Sequence, residues 1–194
     1  MLARKDLWSL EQYAEKRDAF REEILSYKKT RRVLLGQNIL LVFENRKTIK
    51  YQIQEMLRIE KIFEATGIEE ELEAYNPLIP DGDNWKCSML IQYADVNERR
   101  KRLAELLDVE NRVWVQVGGS KKSFAIADED LERANDDKTS AVHFLRFQLR
   151  PDQILAVRAC KQIKFGVDHV HYDQGDVLVV EEIRSSLASD LAEI

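Results

Sequence analysis

Between residues 85 and 168 the sequence switches repeatedly between strand-length apolar runs and helical periodicity, which restricts the chain to folds that pack helices against a sheet. Strands are predicted at 85–93, 111–117, 122–127, 140–149 and 161–168, with Gly118-Gly119 as a turn. Helices are predicted at 95–107, opened by an Asp95/Glu98 capping box, and from Pro151 to about 159. A last helix is expected over 175–192, burying Val180, Ile183, Leu187 and Leu191.

The first part of the chain reads similarly. Ser9 and Gln12 form a capping box for a helix over 10–29 whose stripe is Leu10, Tyr13, Phe20, Ile24 and Tyr27, interrupted by Arg17. Lys28, Lys29, Arg31 and Arg32 then complement the exposed carbonyls of its C-terminus or, on the functional alternative, form an anion or partner patch. Val33–Leu35 and Ile39–Phe43 read as strands around Gly36-Gln37-Asn38, and Asn45 can cap a helix over 46–65. A short acidic helix follows through Ile68, Leu72 and Tyr75. Pro77, Pro80 and Asp81-Gly82-Asp83-Asn84 resemble a linker, dividing the chain into halves 1–80 and 81–194, or bending one continuous domain. The expected fold class is α+β: a mixed, largely antiparallel sheet with helices packed on it and an N-terminal helix preceding.

With 194 residues, 44% of them apolar, the chain can build an ample core. Its net charge of −5 gives no global positive field for holding nucleic acid. Cys87 and Cys160 are far apart and form no CxxC pair, which fits a reducing compartment. The longest aliphatic runs fall far short of the roughly 20 residues that span a bilayer, and Arg4, Lys5 and Asp6 open the chain without an apolar stretch of signal-peptide length. A cytoplasmic protein without membrane partners is the expectation. No HExxH, GxSxG, GxGxxG, Walker or ExxH motif occurs.

On a helical wheel, Ile49, Ile53, Met56, Leu57, Ile59 and Phe63 share one arc, and Gln52 and Glu60 fall inside it. Glu60 is then the buried carboxylate, paired with an arginine such as Arg46, while Glu55 lies at the edge, open to a ligand. Glu44, Arg46, Gln52, Glu55, Arg58 and Glu60 form the candidate ligand set, either as a structural ion-pair network or as a pocket for a small anion. The three histidines come late. His143 lies on the core face of its strand. His169, His171 and Asp173 would share one face if the strand ran on, the residue types of a transition-metal site, against the plainer reading of a polar loop. Glu55 or Glu60 with His143 or His169 would supply an acid–base pair for a small-molecule enzyme, the alternative to a binding protein.

DLWSLEQY near the start, FENR at 43–46, QIQEMLR at 52–58, HFLRFQL at 143–149 and GVDH followed by a tyrosine at 166–172 resemble an uncharacterised bacterial domain-of-unknown-function family over nearly the whole chain. The family pattern has a single histidine after the GVD-like run, so His171 departs from it. Members are encoded near rubrerythrin-like proteins and iron–sulfur oxidoreductases, so the resemblance implies an accessory or binding role in iron or peroxide metabolism, with such a protein as partner.

Overall fold

The computed structural model describes residues 1–129, 133 and 138–192. A 3₁₀ turn precedes α1 (Leu10–Tyr27). The Ser9 hydroxyl accepts from the Gln12 amide at 3.3 Å and the Gln12 side chain accepts from the Ser9 amide at 3.2 Å, so the expected capping box forms. Strands β1 (Arg32–Leu35) and β2 (Ile39–Phe43) make a hairpin turned at Gly36, whose φ of 60° suits glycine. Asn45 Oδ1 accepts from the amides of Lys47 and Thr48 and starts α2 (Arg46–Glu60), which is followed by α3 (Ala65–Tyr75). Next come β3 (Asn84–Ile91), α4 (Val96–Glu105), β4 (Val113–Val117), β5 (Ser123–Phe124), β6 (Ile126–Ala127), β7 (Val142–Gln148), α5 (Pro151–Arg158), β8 (Ile163–Val167), β9 (Val177–Leu178) and α6 (Glu181–Ala188).

All strand pairs are antiparallel, in two sheets ordered β1-β2-β3-β7-β6 and β5-β4-β8-β9. The expected α+β class holds. The single strand expected over 122–127 instead serves both sheets: Ser123 and Phe124 pair with β4, Ile126 and Ala127 pair with β7, and Ala125 donates to Val113 O at 2.8 Å. A strand that changes sheets turns a corner between layers, and β1 lies beside β8 and β9 at the other end. The first sheet draws β1 and β2 from before the proline-rich segment and the rest from after it.

The inner faces meet in a core centred on Phe43, Trp85, Phe147 and Phe165, with Phe165 at 5.2 Å from Phe43 and 5.3 Å from Phe147, centroid to centroid. Trp85 Nε1 donates to Leu187 O at 2.9 Å and so fastens α6 to this core. Tyr172 fastens the hairpin: its hydroxyl donates to Leu35 O at 2.5 Å and accepts from the amides of Asn38 and Ile39. On the outer face of the second sheet the Trp114 ring covers Gly166, where a Cβ would come within 2.3 Å of Cζ2. Helices α1, α2 and α3 bury a separate cluster including Leu2, Ile49, Ile53, Leu57, Leu72 and Ile79.

Two element boundaries differ from expectation. Residues 175–192 hold a short strand before a short helix, because Val177 and Leu178 complete the second sheet beside β8; Val180, expected inside, caps α6 and is exposed. Helix α2 stops at Glu60, with Lys61 left-handed at φ 55°, so Phe63 lies beyond the helix. Among the described residues no helix is long and apolar enough to cross a membrane.

Candidate ligand-binding cleft

Alternation along β3 sends Trp85, Cys87 and Met89 into the core and leaves Lys86 and Ser88 outward; along β7 it sends Leu145 and Phe147 inward and leaves Phe144, Arg146 and Gln148 outward. The register sets Lys86 directly opposite Arg146, a juxtaposition of like charges that is unfavourable by itself. Each cation is neutralised from a loop. Asp81 lies 2.8 Å from Lys86 Nζ and is itself held by Asn84, while Glu129 takes both Arg146 Nε and Nη2 at 2.7 Å. These groups, with Pro77, Leu78 and Phe144 as apolar wall, line a cleft of about 600 Å³.

The two halves of these ion pairs differ in exposure. Lys86 and Arg146 side chains are 14% and 23% exposed on the sheet floor, whereas Asp81 and Glu129 are 64% and 51% exposed on the rim. The hydrogen bond to Arg146 holds Glu129 below the usual carboxylate range, that to Lys86 does the same for Asp81, and Glu129 in turn raises Arg146. Chemically this is a fixed dication beside an apolar wall, balanced by carboxylates that stand on the exposed rim.

The candidate ligand set on and beside α2 does not converge on one pocket. Glu44 is buried against Thr48 Oγ1 at 2.6 Å and Ser88 Oγ at 3.2 Å, both donating to it. Arg46 pairs with Asp6 at 2.9 Å rather than with Glu60. Gln52 is half-buried, and Glu60 is exposed. The wheel placed Glu60 centrally by carrying the arc through Ile59 and Phe63, which are each 60% exposed. The buried stripe is Ile49, Ile53 and Leu57, joined by Gln54, whose Oε1 accepts from the Trp8 amide at 2.7 Å.

Glu55, assigned to the edge, is the paired carboxylate. Arg17 clasps it through Nε at 2.7 Å and Nη2 at 2.9 Å, the Tyr13 hydroxyl donates to it at 2.7 Å, and Arg58 lies 3.4 Å away. Arg17, the interruption of the α1 stripe, was the signal for this contact. The Arg17 hydrogen bond is the main cause that lowers Glu55 from 4.5 to about 2. Because the folded value is depressed, the stabilisation is complete above the ordinary carboxylate range and is lost as pH falls toward 2. Acid unfolding curves of wild type and Glu55→Gln are therefore expected to diverge above about pH 4.5 and converge toward pH 2. Parallel curves would show that the latch contributes nothing.

Strand β8 ends at Val167, and a bridge between His169 and Tyr172 closes a turn, so His169, His171 and Asp173 are not consecutive outward positions of one strand. His169 Nε2 contacts Leu107 O at 2.9 Å, its ring lies 5.8 Å from that of His171, and Asp173 is exposed. Among the described residues no group of three or more His, Cys, Asp or Glu could hold a metal ion. His143 is fully buried and contacts Asp128, Thr139 and Ser140; no hydrogen bond or ion pair joins it or His169 to Glu55 or Glu60.

The profile of the family described as protein of unknown function (DUF3501) matches residues 1–191. The chain belongs to this family. Its fold is also similar to the crystal structure, at 1.90 Å, of a novel protein of unknown function from Burkholderia pseudomallei K96243: 44% identity, 98% of this chain and 99% of that one covered, TM-score 0.94. No curated protein matches the chain. Membership in DUF3501 agrees with the sequence resemblance at the level of an uncharacterised domain family, and leaves the activity to be argued from the cleft.

Proposed function

We propose that this protein is a binding protein whose cleft on the outer face of β3 and β7 takes a small organic carboxylate with an apolar body. The observation that carries this reading is the cross-strand pair of Lys86 and Arg146, shielded on the sheet floor while its counter-ions sit exposed on the rim. Rim ion pairs of this kind contribute about 0–1 kcal/mol each, so a ligand carboxylate can replace Glu129 at Arg146 with little loss and add burial against Phe144 and Leu78. The unpaired cysteines fit a cytoplasmic setting, and the family resemblance supports a role as an accessory to rubrerythrin-like or iron–sulfur proteins in iron or peroxide metabolism.

Titration of the protein with a panel of aromatic and branched aliphatic carboxylates, followed by amide chemical shifts, tests the reading. Saturable shifts at Lys86, Phe144 and Arg146 are expected, and Arg146→Ala should weaken binding about tenfold or more, the loss typical of one charge-assisted hydrogen-bonded contact. A panel without a saturating member, or an Arg146→Ala protein that binds as the wild type does, sinks it.

A further inference from the structure

We infer that a second site, separate from the cleft, binds a phosphoryl group between the N-terminal segment, α1 and the first turns of α2, through Arg46, Lys47 and Lys50. The chain carries a net charge of −5, yet here cations collect. A pocket of about 380 Å³ is lined by Arg46, Lys47 and Lys50, with Phe20 as apolar wall and Asp6 as its carboxylate. Lys16 adds its charge from α1: its Nζ lies 5.4 Å from the Trp8 ring centroid and that of Lys50 3.9 Å.

The charges in this pocket are incompletely balanced. Asp6 takes Arg46 at 2.9 Å and Glu23 takes Lys47 at 2.6 Å, but among the described residues no carboxylate pairs with Lys50 or Lys16. Arg46 and Lys50 stand one helical turn apart, a spacing at which like charges repel. Burial depresses Lys50, and although Asp6 opposes this, Arg46 and Lys16 push it down further. The backbone does not supply the recognition, because the Lys47 and Thr48 amides already donate to Asn45 Oδ1. What remains is the Arg46 fork, held by Asp6 and the Met1 carbonyl, the Lys47 ammonium held by Glu23 against the Tyr27 ring, the Lys50 ammonium on the Trp8 ring, and an apolar wall. A phosphate dianion neutralises two of these charges at once and draws the long side chains off these contacts onto its own oxygens, whereas a carboxylate neutralises one.

Isothermal titration with inorganic phosphate and, separately, with adenosine monophosphate tests the site and distinguishes its sources. Both probes are expected to bind saturably at one site per chain. Equal affinity would point to free phosphate or a simple phosphate ester, and tighter binding of the nucleotide to a base stacked on the aromatic wall. Lys50→Gln should weaken both about tenfold, as should Lys47→Gln if Lys50→Gln folds poorly. Arg146→Ala, in the other cleft, should leave phosphate binding unchanged, so the two sites fail separately. The inference is overturned if neither probe saturates, if the nucleotide binds and phosphate does not, or if well-folded Lys47 and Lys50 variants bind phosphate as the wild type does.

Discussion

Arg31→Ala is expected to cost about 3–5 kcal/mol of folding stability, the loss seen when one member of a buried ion pair is removed. Arg31 is 0% exposed although it sits in a run of basic residues. Its Nε donates to Phe43 O at 2.9 Å, Nη2 to Glu44 O at 3.1 Å, and Nη1 to Ser186 O at 3.2 Å; it also pairs with Asp190. One guanidinium thus satisfies the carbonyls at the end of β2 and just after it and ties them to the C-terminal helix. Removing it strands those carbonyls and leaves Asp190 with Asn45, a carboxyl that burial already pushes upward and that Arg31 pulls back. Arg31→Lys should recover little, since one ammonium cannot reproduce a planar fork. The double variant Arg31→Met/Asp190→Leu should recover part of the loss, because it leaves no charge unpaired. Urea unfolding followed by circular dichroism measures all three, and a loss below about 1 kcal/mol for Arg31→Ala would mean that water replaces the network.

His143→Ala is expected to cost about 3 kcal/mol, because it empties a fully buried ring site and leaves hydrogen-bonding partners unsatisfied. Its ring lies between two carboxylates: Nδ1 meets Asp128 Oδ2 at 2.5 Å, and Nε2 meets Ser140 O at 3.1 Å and Thr139 Oγ1 at 2.8 Å. The Thr139 hydroxyl donates to Glu110 Oε2 at 2.9 Å, which links the ring to a second carboxylate. Without the ring, Glu110 keeps Thr139, and Asp128 keeps the Phe144 amide and Arg133, which moderates the loss. Hydrogen exchange gives the sharper readout. Amides of β7 should open faster in His143→Ala while those of α1 and α2 stay protected; uniform acceleration would show that the cluster serves global stability rather than this edge.

Alternation within VHFLRFQL places His143 on the core face, and that local period survives folding unchanged. The same reasoning failed at His169, where it assumed that a strand continued past Val167. It failed again on α2, where one added turn moved Glu60 to the middle of a face it never occupies. A helical wheel is only as good as the helix length it assumes, and α2 ends through a left-handed Lys61 whose conformation nothing in the residue type demands. Glu55 shows the other failure: a helix with two neighbours has two buried faces, and the wheel looks for one.

Capping and periodicity acted within a few residues, so the sequence by itself determined where α1, α2, the β1–β2 hairpin and α5 begin, and that His143 faces the core. Tertiary structure alone decided that residues 123–127 divide between two sheets, that Arg31 reaches a carboxylate 159 positions away, and that Lys86 stands opposite Arg146. The reason is physical. A cap or an alternation is satisfied by neighbours along the chain, whereas a cross-strand register or a buried ion pair exists only when distant segments bury their apolar faces together, and the local pattern marks at most one of its members, as Arg17 does in the α1 stripe.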